Sequence, residues 1–129
     1  MKHEQIELNG IQIDKGLEDL MATLWVQGIT TYNSCIENTL DANGEIQTWL
    51  EVDLADWEWL VNRAYLVDRE LYYFIEEHCD VKLLCTDNGF PDPEDGDNWI
   101  DGSRLIWSAS VRFPRKLLDQ AALIFTPST

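Results

Sequence analysis

Leu24-Trp25-Val26-Gln27-Gly28-Ile29-Thr30-Thr31-Tyr32-Asn33-Ser34-Cys35 decides the fold, because it reads as a helix that stops at a glycine and gives way to a strand. Leu17, Leu20, Met21, Leu24 and Trp25 recur at helical spacing and form one apolar stripe facing a core. Gly28 follows directly, where a left-handed cap is open to glycine without steric cost. The β-branched run Ile29-Thr30-Thr31 then favours extended chain and leads into Asn33-Ser34-Cys35.

Working outward toward the N-terminus, Gln5–Ile13 reads as a hairpin about Asn9-Gly10, whose type I′ turn pairs Leu8 with Ile11 and Ile6 with Ile13. Asp14 is expected to cap the first helix, which runs to about Gln27. Toward the C-terminus, the strand is expected over Ile29–Cys35, with Glu37 to Gly44 as a turn region. Glu45–Val52 alternates as a strand, and Asp53 caps a second helix that buries Trp57, Leu60, Val61, Ala64 and Tyr65. Trp59 lies about 200° around that helix from Trp57 and cannot share its face. A break near Val67-Asp68 precedes a short helix to about His78, then an apolar strand over Val81–Cys85. Leu105, Trp107, Ala109, Val111 and Phe113 alternate with polar residues as a strand with one buried face. Pro114 opens a last helix with Leu117, Leu118, Ala121, Ala122 and Phe125 inward. The order β-β-α-β-β-α-α-β-β-α predicts an α+β fold, a mostly antiparallel sheet with helices on one face, in one domain over 1–129.

The pattern Leu24-Trp25-x-x-Gly28-Ile29-x-Thr31-x-x-Ser34-Cys35, preceded by Ile13-Asp14 and followed by Gln47–Val52, resembles a group of small bacterial and bacteriophage proteins. The resemblance covers roughly the first half of the chain. It implies a prokaryotic or phage origin and carries no activity with it.

Charge is the strongest compositional signal. The 129 residues carry a formal net charge of −15, and Gly16 to Asn62 holds nine carboxylates with no Lys or Arg. Such a chain repels nucleic acid and anionic membranes and is steered toward basic protein surfaces, although solubility alone also accounts for acidity. Three cysteines at 35, 79 and 85 without a C-x-x-C pair fit a reducing compartment, and Met1-Lys2-His3-Glu4 leads into a strand pattern instead of a signal peptide. The expected location is cytoplasmic.

Four constellations bear on chemistry. Cys35 lacks a sequence-near base, so an inert buried thiol outweighs a nucleophile. His78, Cys79 and Cys85 lack the paired spacing of a zinc site. The acidic loop Asp87–Gly102 holds Asp92, Glu94, Asp95, Asp97 and Asp101, yet an EF-hand frame begun at Asp92 meets Gly96 one residue early and Ser103 where glutamate is required. No metal or cofactor is therefore expected. Trp99, ringed by those carboxylates, reads either as a binding hot spot with a charged rim or as a pin that holds the loop to the body. Trp59 is a second candidate, with burial between helices as its alternative.

These residues lead to an expected function: a non-catalytic inhibitor, of the anti-CRISPR kind that mimics nucleic acid, placing its acidic face on a basic protein surface. Contact is expected through Trp99, Asp92, Glu94, Asp95, Asp97, Asp101 and Trp59, with no direct nucleic-acid or membrane binding. The competing reading is a small enzyme or ligand-binding domain with a cleft near Ser34-Cys35.

Overall fold

Asn9 and Gly10 both take positive φ, 53° and 81°, which is the type I′ geometry that Asn-Gly favours. The strands they join are β1 (Gln5–Leu8) and β2 (Ile11–Asp14), in the expected register of Leu8 opposite Ile11 and Ile6 opposite Ile13. The computed structural model describes residues 4–40, 44–87, 90–91, 94, 99–100 and 105–127.

Helix α1 (Glu18–Val26) buries Leu20, Met21 and Leu24, and Leu17 is buried just before it. Gly28 closes the helix at φ 80°, its N–H bonded to the Trp25 carbonyl. Asp14 does not cap α1, contrary to the sequence reading. The N-cap is Leu17, without a side-chain bond, while the buried Asp14 carboxylate accepts Ile36 N–H at 2.8 Å and Gln5 Nε2–H at 3.4 Å. It joins the hairpin to the next strand instead.

That strand, β3 (Thr31–Leu40), runs five residues past the expected end at Cys35. Pairing with β4 (Ile46–Asp53) continues to Leu40 opposite Ile46, and Glu37 gains an ion pair from Arg112 at 2.7 Å, so sheet contacts override the local turn signal. Asp53 caps α2 (Leu54–Leu66), and Asp68 caps α3 (Arg69–His78), each through its carboxylate and the N–H three residues on. Strands β5 (Asp80–Asp87) and β8 (Leu105–Pro114) follow, separated by the two-residue pair β6 (Phe90–Pro91) and β7 (Trp99–Ile100). A 3-10 turn (Arg115–Leu117) leads into α4 (Leu118–Ile124).

The main sheet has the order β3-β4-β8-β5, antiparallel throughout. One face supplies Leu50, Val52, Ala109, Val111 and Phe113 to a single core with all four helices, so the α+β reading holds. Phe74 from α3 meets Phe113 and Phe125 edge-on, with ring centroids 5.5 and 5.9 Å away. Such a ring stabilises by about 1.5–3 kcal/mol when fully buried, before its pairing geometry is counted.

Two burial expectations fail. Val61 and Tyr65 face solvent, because α2 is covered along the Trp57–Leu60–Ala64 stripe only. Trp107 has the parity of the core face, yet it lies beside the first turn of α2, where no helix body covers it, and stays half exposed. Strand β5 is a sheet edge, so Leu83 and Leu84 are exposed despite the apolar run. No helix among the described residues is long and apolar enough to cross a membrane.

Candidate partner-binding surface

The site is built where α2 begins. Asp53 ends β4, donates its N–H to the Thr30 carbonyl at 2.9 Å, and accepts both the Tyr32 hydroxyl at 2.8 Å and Asp56 N–H at 3.4 Å. Asp56 in turn accepts Thr30 N–H at 2.7 Å. These bonds fix the start of β3 to the N-terminus of α2, whose positive end favours both carboxylates. Glu58, one turn on, makes no hydrogen bond or ion pair among the described residues.

Tyr32, Asp53, Leu54, Ala55, Glu58, Ile106 and Trp107 line a cleft of about 480 Å³ here. It offers two aromatic rings, one of them Trp107 at 50% exposure, and two carboxylates, with no Lys or Arg among the described residues of its walls. A ring face and a carboxylate both attract a cation, so the lining suits an ammonium or guanidinium group.

The acidic loop starts and ends at this margin of the sheet. Asp87 pairs with Leu105, Thr86 with Ile106 and Cys85 with Trp107, so the chain leaves and re-enters the sheet beside the cleft. Within the loop, Phe90 pairs with Ile100 and Pro91 with Trp99, a short ladder where the sequence suggested only irregular chain. Glu94 is exposed; Asp92, Asp95, Asp97 and Asp101 lie outside the described residues, as does the side chain of Trp99.

Trp59 is 49% exposed, and the Arg63 guanidinium stacks on its ring 5.5 Å from the centroid. It stands four residues beyond Ala55, on the same side of α2 as the cleft. Trp59 thus stands on the cleft side of α2, and the cleft itself adds Trp107 and Tyr32, which sequence reading missed. The available signal for Trp107 was position: it lies close after the long acidic loop, where a strand's covered face often begins late.

Ser34 and Cys35 do not share a cleft wall. Ser34 pairs with Leu50 on the core side and Cys35 with Trp49 on the other, the alternation of a pleated strand. Burial, then the carboxylates of Glu37 and Asp14, raise the Cys35 pKa, with Arg112 opposing them. The thiol is held protonated, which disfavours a nucleophile.

The sheet face away from the helices carries a connected polar network. Glu51 accepts from Asn33 Nδ2–H and Ser108 Oγ–H, both at 2.9 Å. Ser110 accepts from the Trp49 indole at 2.8 Å and from Arg112 at 3.1 Å, and Arg112 also stacks on Trp49. These groups satisfy one another. No family model, no curated protein and no solved structure matches this chain.

Proposed function

We propose that the protein is a non-catalytic inhibitor that lays its acidic, aromatic margin on a basic protein surface, standing in for nucleic acid in the manner of an anti-CRISPR protein. The observation that carries this reading is the cleft with Tyr32 and Trp107 as ring faces, Asp53 and Glu58 as carboxylates, and no base among the described residues that line it. A basic groove that binds phosphates presents Arg and Lys side chains at close spacing, and this lining accepts them by charge and by ring stacking. The net charge of −15 supplies long-range steering, and the base-free span Gly16–Asn62 contributes Tyr32, Asp53 and Glu58 to the cleft. The likeness of Leu24–Cys35 to small bacterial and phage proteins agrees with an inhibitor carried by a phage.

The test is displacement of fluorescent DNA from a panel of bacterial RNA-guided nucleases, followed by anisotropy. The protein should release DNA from at least one member, and its affinity should weaken steeply from low to physiological salt, where charges beyond about 8 Å are screened. Trp107→Ala should weaken displacement about tenfold or more through faster dissociation, the scale of a hot-spot truncation, while Glu58→Gln should mainly slow association. Absence of displacement from every member, or affinity unchanged by salt, refutes nucleic-acid mimicry.

A further inference from the structure

A second surface, on the helices, carries its own recognition chemistry. Val67, at the corner between α2 and α3, is 79% exposed and Leu123 on α4 is 77% exposed. Two adjoining depressions run between α3 and α4. One, of about 440 Å³, has Phe74 and Ile124 in its floor and Tyr73 in its wall; the other, of about 530 Å³, ends at Val67. Both are lined by Glu70, Leu123 and Ile124, so they form one trough with Leu123 projecting at its middle. The ten residues of α3 give the trough a length of about 15 Å at 1.5 Å per residue.

The rim is acidic. Glu70 and Glu77 line the same depression seven residues apart on α3, about 10 Å along the helix. Among the described residues no Lys or Arg lines that depression, although His78 does, its Nε2 3.9 Å from Glu77 Oε2, and Arg69 lines only the far one, toward Val67. An apolar floor of one helix length, edged by carboxylates two turns apart, is complementary to a single kind of ligand. From this geometry we infer that the trough takes an amphipathic helix of a partner protein, with an apolar ridge against Leu123, Tyr73 and Ile124. Its basic residues, seven apart, face Glu70 and Glu77. A second copy of this chain is the poorer occupant, because it would bring an equal charge of −15 to an acidic rim.

The experiment is a selection of 14-residue helical peptides from a display library on the intact protein, with affinities of the selected peptides then measured by anisotropy. Enrichment of peptides with an apolar stripe and Lys or Arg seven residues apart is expected. Leu123→Asp, at an exposed position, should keep the fold by circular dichroism and weaken those peptides at least tenfold. Glu70→Gln with Glu77→Gln should weaken them at least threefold and flatten their salt dependence. Trp107→Ala should leave them unchanged, which separates this surface from the cleft. No enrichment, enrichment of acidic peptides, or equal binding to the Leu123→Asp protein overturns the inference. A wild-type dimer in sedimentation that Leu123→Asp dissolves also overturns it, in favour of self-association.

Discussion

Arg63→Ala should destabilise the protein by far more than loss of an ordinary surface charge. Arg63 is the first base after the base-free span, and its side chain is only 12% exposed. One guanidinium nitrogen donates to Gln27 Oε1 at 2.8 Å and another to the Phe125 carbonyl at 3.1 Å. Gln27 and Phe125 are the C-cap residues of α1 and α4, so the cation sits at the negative ends of two helices. Gln27 Nε2–H reaches the same Phe125 carbonyl at 2.8 Å, which closes a three-membered clasp between α1, α2 and α4. Asp68 adds a carboxylate 3.9 Å from Nε, too far for a hydrogen bond. Burial lowers the Arg63 pKa and Asp68 opposes that effect. Hydrogen bonds to a charged group contribute about 1.5–3 kcal/mol each, and here they overlap with the helix-end term, so about 3 kcal/mol in all is expected. At a urea slope of about 2 kcal/mol per molar, the unfolding midpoint should fall by about 1.5 M with the slope unchanged. Arg63→Lys keeps the charge but not the fork, and should recover less than half of the loss. A cycle with Gln27→Ala should give a coupling of at least about 1 kcal/mol. A loss below about 0.5 kcal/mol, the scale of an exposed ion pair, or strict additivity with Gln27→Ala, refutes the clasp.

Three further outcomes can be checked on the same protein. Asp14→Asn should cost about 1–3 kcal/mol in thermal or urea unfolding and speed amide exchange at Ile36, since the buried carboxylate is what holds β2 to β3. For the thiols, Cys85 is exposed on the edge strand and should alkylate first, Cys35 slowly and Cys79 last, read by intact mass with iodoacetamide at pH 8.5. Burial pushes the Cys79 thiol up to about 12 from 9.0, so the unfolded chain ionises first and stability should fall as pH rises from 9 toward 12. Cys79→Ser should lessen that fall; an unchanged profile refutes Cys79 as its source.

What was legible in the sequence is what local chemistry determines. Asn9-Gly10 allows one common hairpin turn, Gly28 one helix ending, and Asp53 caps the helix that follows, while the break expected near Val67-Asp68 is where α3 begins. Asp14 precedes a helix with the same local pattern, yet Ile36 offers its N–H from a strand 22 residues away, and no local rule ranks that partner above a cap. Alternation in β8 fixes which face Trp107 occupies but not how far the helices reach along it. The apolar run in β5 reads alike for a central and an edge strand, because the sequence of a strand does not state its neighbours. The Arg63 clasp joins residues 36 and 62 positions apart, and only the isolation of that base in an acidic stretch hinted at it.

The surfaces available to a partner follow from which charged and aromatic groups are already engaged. On the open sheet face, Glu51 holds Asn33 and Ser108, Glu37 holds Arg112, and Arg112 covers Trp49. A ligand there would have to break charge-assisted bonds of about 1.5–3 kcal/mol before gaining any of its own. Glu58 beside Trp107, and Glu70 beside Tyr73 and Leu123, face no such cost, because neither carboxylate has a partner among the described residues. Both places combine exposed apolar area with an unpaired carboxylate, the pairing that gives a contact both slow dissociation and charge selectivity. Replacing Glu58 and Glu70 with Gln therefore tests more than two residues: if solubility falls while every binding signal persists, the charge of this chain is a solvent device and both surfaces lose their argument.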